Sequence, residues 1–445
     1  MNQTQRLYNE AKKIIPGGTQ LLTKRPEMTH PGLWPAYYNK AKGCKVWDLD
    51  GNEYLDMSYM GIGSCILGYA DDDVDRAVKA AIENGSMCTL NCPEEVRLAR
   101  LLCQLHPWAS KVRYARTGGE AMAIAVRIAR AKTGKDRILF CGYHGWHDWY
   151  LSSNLFDGDN LTDHLIPGLK PKGVPKGLER TAIPFHYNNF NEFDRLFGLY
   201  QDELAAVVME PIRNNFPDGG FLEQIRDLTD QENVPLIFDE ITAGWRMASC
   251  GSHIVLGVNP DIAVFAKAIS NGYPMAAIIG NDVMDAAQDT FISSTYWTER
   301  IGPVAALATI EKLMIHNVPS HLNLIGLRVQ EIWRTMAQKH NLDITITGIP
   351  QLGHFDFNDS RSLHINTLFS QYMLEHGFLA TNAFYASYAH DLDVVKKYGD
   401  AVDISFENIA KILSLSPLTG NPLRRELYTF IKGGLPRHGG FKRLN

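Results

Sequence analysis

Four short stretches of the chain put reactive or anion-binding groups directly behind apolar runs. Lys267 follows Asp261-Ile262-Ala263-Val264-Phe265-Ala266. A lysine behind a buried strand is desolvated, which lowers its pKa and makes the neutral amine available for Schiff-base chemistry. Asp239 and Glu240 close the run Pro235-Leu236-Ile237-Phe238. Such a carboxylate pair could bind metal, hold a cationic heterocycle nitrogen or cap the next segment. An acid in an apolar strand is costly unless it meets a positive partner.

Arg116-Thr117-Gly118-Gly119-Glu120 lies between an apolar run and an alanine-rich helical segment. Two glycines at a helix start let backbone N–H groups approach an anion, and the helix dipole favours phosphate there. Gly142-Tyr143-His144-Gly145-Trp146-His147 follows another apolar run ending at Cys141. An aromatic flanked by glycines can lie flat against a planar ring. His144 and His147 are spaced i, i+3, but no third ligand is evident, so no metal is expected. Taken together, lysine, acid, phosphate turn and stacking aromatic are the parts that pyridoxal phosphate requires.

The elements that must position these groups are legible in outline. Short Val/Ile/Phe-rich runs are expected as strands at Lys111–Ala115, Arg137–Cys141, Ala205–Met209, Pro235–Phe238, Ile262–Phe265 and Met275–Ile279. Helical segments intervene, clearest at Glu120–Lys132 and Leu222–Glu232. This alternation predicts an α/β fold with a mostly parallel sheet covered on both faces, where ligands bind beyond the carboxyl ends of the strands. Lys45–Leu55 reads as a hairpin around an Asp-Gly-Asn turn. Residues 4–15 read as an amphipathic helix, and two long helices are expected at Val304–His316 and Leu322–Lys339. The domains expected are residues 1–55 as the first part of a small α+β domain, 56–315 as the large domain, and 316–445 completing the small one.

In this order the motifs resemble the class III, fold-type I, pyridoxal-phosphate-dependent aminotransferases, and most of all their glutamate-1-semialdehyde aminomutase branch. The stretches that carry the likeness are IPGG, VWDLDGNEYLDM, TGGEA, YHGWHD, the Glu210-Pro211 pair with its downstream asparagine, LIFDEITAGWR and the later lysine, running from about residue 14 to at least 310. The resemblance implies that Lys267 is the Schiff-base lysine and that Asp239 keeps the pyridine nitrogen protonated. It also implies that Tyr143 stacks on the ring and that Thr117, Gly118 and Gly119 bind phosphate. Where the family has Asn-Ser-Gly-Thr-Glu-Ala, this chain has Arg-Thr-Gly-Gly-Glu-Ala, so a threonine hydroxyl contact is lost at Gly119. Glu210 and Asn215 match family positions beside the cofactor. Thr298 fits a threonine that reaches the phosphate of the neighbouring subunit, which implies a homodimer with active sites at the interface.

Departures from the aminomutase pattern bear on substrate. A substrate-binding serine and arginine of that branch become Leu21 and Lys24, and its active-site tryptophan becomes Ile62. Losing an arginine fork is not conservative. Lys24, Ile62 and Arg116 are therefore the expected substrate-binding positions of a different enzyme. Ser294-Thr295-Tyr296-Trp297-Thr298-Glu299-Arg300 resembles a subset associated with amino-sugar biosynthesis. That resemblance implies L-glutamate as donor and a keto sugar acid, the 8-keto form of 3-deoxy-manno-octulosonate, as acceptor in cell-surface sugar biosynthesis. An intramolecular aminomutase and a non-catalytic cofactor-binding relative are the alternatives.

Composition agrees with a globular enzyme. The 445 residues are 45% hydrophobic and carry a net charge of −5, which argues against nucleic-acid and membrane-surface partners. No run of 18 apolar residues exists. The first twenty residues hold no apolar core of signal-peptide length, and seven cysteines without CxxC spacing suggest reduced thiols. A cytoplasmic location is expected.

Overall fold

The computed structural model describes residues 2–212, 214–415 and 423–444. It divides into two compact units, one made of residues 1–60, 67–70 and 321–445 and the other of 61–66 and 71–320.

The first unit begins with the helix Gln3–Ile14, one turn-edge away from the expected bounds. Strands β1 (Tyr38–Lys42), β2 (Lys45–Asp48) and β3 (Glu53–Met57) then run antiparallel. Asp48 Oδ1 accepts from the Asp50 and Asn52 N–H groups, and Gly51 takes φ +84°, which closes the β2–β3 turn.

The second unit holds a seven-stranded sheet built from β4 (Lys111–Ala115), β5 (Arg137–Cys141), β6 (Ala182–Pro184), β7 (Leu204–Met209), β8 (Leu236–Asp239), β9 (Ile262–Phe265) and β10 (Ala276–Gly280). Its spatial order is β4-β10-β9-β8-β7-β5-β6. Neighbours from β9 through β6 are parallel, whereas β10 pairs antiparallel with both β9 and β4. Every residue of β7, β8, β9 and β10 is buried, which is why these strands are continuous apolar runs rather than alternating ones.

The helix Gly118–Thr133 lies against this sheet through Ala121, Ile124, Ala125, Ile128 and Ala129, a 3.6-residue stripe whose small side chains let helix and strands approach. It is closed at its far end by Gly134 at φ +67°. The unit ends with the helix Ile301–Ile315.

The chain then returns to the first unit. The strands β11 (Ile344–Thr347), β12 (Leu352–Phe357) and β14 (Ala383–Tyr385) make an antiparallel sheet, and β13 (Phe378–Ala380) adds to β3 in parallel. Among the described residues no helix is long and apolar enough to cross a membrane.

Candidate active site

The carboxyl ends of β5, β8 and β9, together with the helix start after β4, surround one cleft of about 380 Å³ in the second unit. On its wall, Asp239 is 2% exposed at the end of β8. Its Oδ1 accepts from the Ile241 N–H at 3.0 Å, and its Oδ2 lies 2.8 Å from His144 Nδ1. His144 Nε2 is 3.1 Å from the Cys141 carbonyl, an oxygen that can only accept, so Nε2 carries a hydrogen. The pair then shares one further proton between His144 Nδ1 and Asp239. Burial raises the proton affinity of Asp239, and the hydrogen bond from His144 works against that rise. A buried acid in this state accommodates a cationic nitrogen.

Lys267 follows Ala266 at the end of β9 and takes φ +47°, a left-handed backbone that costs a non-glycine residue energy and is held by its surroundings. Its Nζ donates to Thr242 Oγ1 at 2.8 Å. Thr242 is itself anchored, because its carbonyl accepts from Arg246 Nε at 2.8 Å while another guanidinium nitrogen of Arg246 donates to the Gly63 carbonyl.

At the helix start, Thr117 and Glu120 form a capping box. Thr117 Oγ1 accepts from the Glu120 N–H at 3.4 Å, and Glu120 Oε2 accepts from the Thr117 N–H at 2.9 Å. The N–H groups of Gly118 and Gly119 have no intrahelical acceptor and carry the positive end of the helix dipole. A β-carbon at Gly118 would lie 2.8 Å from Ile241 Cδ1, so the glycine brings the backbone close to the loop after Asp239.

Tyr143 also lines the cleft, and its N–H donates to Glu210 Oε2 at 3.1 Å. Gly142, at φ +114°, makes that approach possible, since a β-carbon there would meet Glu210 Oε2 at 2.6 Å.

The family described as aminotransferase class-III matches residues 29–384. The chain belongs to the class III aminotransferases. The 3-aminobutyryl-CoA aminotransferase of Cloacimonas acidaminovorans is 31% identical over 86% of this chain and 90% of its own length. A glutamate-1-semialdehyde 2,1-aminomutase of Methanocaldococcus jannaschii is 30% identical over 92% of this chain and 99% of its own. The 2'-deamino-2'-hydroxyneamine transaminase of Streptomyces kanamyceticus is 29% identical over 76% and 82% respectively. This class III aminotransferase is accordingly an enzyme with the fold-type I architecture, and its cofactor is pyridoxal phosphate. The residues fit that group: bare backbone at 118 and 119 for a phosphate, a buried acid for a ring nitrogen, and an amine in the same cleft.

Of the positions singled out by sequence, Arg116, Thr117, Gly118, Gly119, Tyr143, Asp239 and Lys267 line this one cleft. Glu210 and Asn215 line a separate cavity of about 220 Å³ with His164, His186 and Tyr187, linked to the site through the Glu210 bond to the Tyr143 N–H. Thr298 is exposed in the turn Thr295–Thr298, where its hydroxyl donates to the Thr295 carbonyl at 3.1 Å, and it is not among the residues lining the cleft. Ile62 is half-buried at φ +58°, two residues before Ser64, which does line the cleft. Lys24 is exposed in a short turn of the first unit.

Arg116 reaches the cleft with its guanidinium already engaged. One Nη donates to the Glu299 carbonyl at 2.7 Å, and Nε lies 2.8 Å from Glu299 Oε1, off the hydrogen-bonding direction. Burial lowers its affinity for a proton and Glu299 opposes that effect. By sequence, His144 enters only as a metal-ligand candidate with His147, and Thr242 is passed over. Each had a signal: His144 follows Tyr143 directly, and Thr242 lies on the loop three residues beyond Asp239.

Proposed function

We propose that this aminotransferase moves an amino group from L-glutamate to a keto sugar acid, the 8-keto form of 3-deoxy-manno-octulosonate, in cell-surface sugar biosynthesis. In this reading it works in the cytoplasm as a homodimer with active sites at the subunit interface. The observation that carries the chemistry is the convergence of Lys267, Asp239 and the Thr117–Gly119 turn on one cleft. The sugar acceptor is supported by the likeness of Ser294–Arg300 to amino-sugar enzymes and by the Streptomyces relative named a hydroxyneamine transaminase.

Bound pyridoxal phosphate supplies an electron-withdrawing ring that stabilises negative charge on the carbon that loses its proton. The chain does the rest. Thr117 with the Gly118 and Gly119 N–H groups would hold the phosphate, and Thr298 would contribute to the phosphate site of a second copy. Tyr143 would stack on the ring, positioned by its N–H bond to Glu210, while Glu210 and Asn215 would act from the adjoining cavity. Asp239, backed by His144, keeps a proton at the ring nitrogen. Lys267 Nζ, held by Thr242, takes the proton from one carbon and returns it to another, acting first as base and then as acid. Ile62 and Arg116 shape the substrate side, with Arg116 answering to Glu299 when no substrate carboxylate competes.

The test is a half-reaction. Protein incubated with L-glutamate alone is expected to release one equivalent of 2-oxoglutarate per active site while its visible absorbance falls. Lys267→Ala is expected to fold and to lose both changes. Full turnover by that variant would overturn the lysine assignment. Conversion of glutamate-1-semialdehyde with no 2-oxoglutarate from glutamate would favour the intramolecular aminomutase instead.

A further inference from the structure

The phosphate turn carries two glycines, and the second faces a histidine. A β-carbon at Gly119 would lie 3.0 Å from both Cε1 and Nδ1 of His147 and 3.5 Å from Cδ1 of Trp146. The imidazole therefore fills the space that a side chain at 119 would take. His147 Nδ1 is buried and has no hydrogen-bond partner among the described residues. Buried polar atoms in native proteins are nearly always paired, so an orphan beside a binding cleft marks a place where a ligand supplies the partner.

The ring is also held in place. Trp146 stacks on it at 4.5 Å between centroids with planes 26° apart. Gly145, at φ +100°, lets the loop approach until a β-carbon there would be 3.0 Å from Gly119 Cα. Burial keeps the imidazole toward its neutral form, against the pull of Glu120 and Asp148. One of the two neutral tautomers carries its hydrogen on Nδ1, the atom that lies 3.0 Å from where a Gly119 β-carbon would stand at the helix start.

We infer that His147 is a further cofactor ligand, its Nδ1–H donating to a phosphate oxygen of pyridoxal phosphate. It would stand in for the threonine hydroxyl that the resembled Asn-Ser-Gly-Thr-Glu-Ala pattern has where this chain has Gly119. Gly119 and His147 are then a matched pair, the missing side chain making room for the ring that does its work. The inference rests on reading Thr117–Gly119 as the phosphate turn, and goes beyond it by adding a donor from a different loop.

The test uses the purified holoenzyme and its phosphorus NMR signal together with cofactor retention. A hydrogen bond to a charged acceptor predicts that His147→Ala weakens pyridoxal phosphate binding by on the order of tenfold or more. The bound phosphate resonance is expected to move while the visible band due to Lys267 stays. His147→Ala combined with Gly119→Thr is expected to recover most of the affinity, because the hydroxyl now has room. If His147→Ala does not fold, His147→Gln fills the same space and reports through the phosphorus shift alone. An unchanged resonance and unchanged affinity in the folded variant would overturn the inference. A wild-type protein with neither visible band nor bound phosphorus signal would instead sink the underlying reading of the site.

Discussion

His106 offers a pH-dependent handle on the scaffold behind the site. It ends the helix Pro93–Leu105, is fully buried, and packs its ring 5.1 Å from that of Phe265, two residues before Lys267. Its Nδ1 sits 2.9 Å from the Leu102 carbonyl and must donate, while its Nε2 accepts from the Gly251 N–H at 2.9 Å. Only the neutral ring satisfies both partners, since a proton on Nε2 would confront the Gly251 N–H with another donor. Burial accordingly depresses the His106 pKa to about 4.

The unfolded chain binds that proton near pH 6.5, so stability is intact above about 6.5 and is lost as pH falls toward 4. Between pH 7 and pH 5 the loss from this one group is about 2 kcal/mol. For a unit of this size that is roughly 4–8 °C in melting temperature. His106→Gln keeps an acceptor for Gly251 without a titrating group. Its melting temperature is expected to fall less between pH 7 and pH 5 than the wild-type value does, by about that amount. Identical pH slopes in the two proteins would refute the assignment of a neutral, doubly bonded His106.

Two further substitutions test the packing of the cleft. Gly145→Ala forces a β-carbon to within 3.0 Å of Gly119 Cα at φ +100° and is expected to cost about 1–3 kcal/mol in urea unfolding, with cofactor retention falling in parallel. Arg116→Ala strands Glu299, which also accepts from the Ile301 and Gly302 N–H groups, and should lower stability by about 3 kcal/mol measured without substrate. A stable Arg116→Ala protein that loses only substrate affinity would show that Glu299 does not depend on the arginine.

The sequence alone announces what burial demands of local composition. β5 and β9 fall at the expected bounds, and β7, β8 and β10 within one residue, because strands covered on both faces must be apolar throughout; β4 also falls at its expected bounds, although as a part-buried edge strand it carries Lys111 and Arg113. Lys267 and Asp239 stand out for the same reason, as charges placed where such runs end. β6, three residues long at the sheet edge, gives no such signal, and the antiparallel sense of β10 leaves none, because a fully buried strand has the same composition in either direction.

Pairing belonged to the tertiary structure. His144 meets Asp239 across 95 residues, Arg116 meets Glu299 across 183, and Lys267 finds Thr242 across 25. Which donor faces which acceptor follows from strand order and loop approach, and neither is written in the periodicity of any one segment. The same holds for His147: its neighbourhood with Gly119 comes from a glycine that lets two loops touch, although the strands those loops leave, β4 and β5, have four others between them in the sheet.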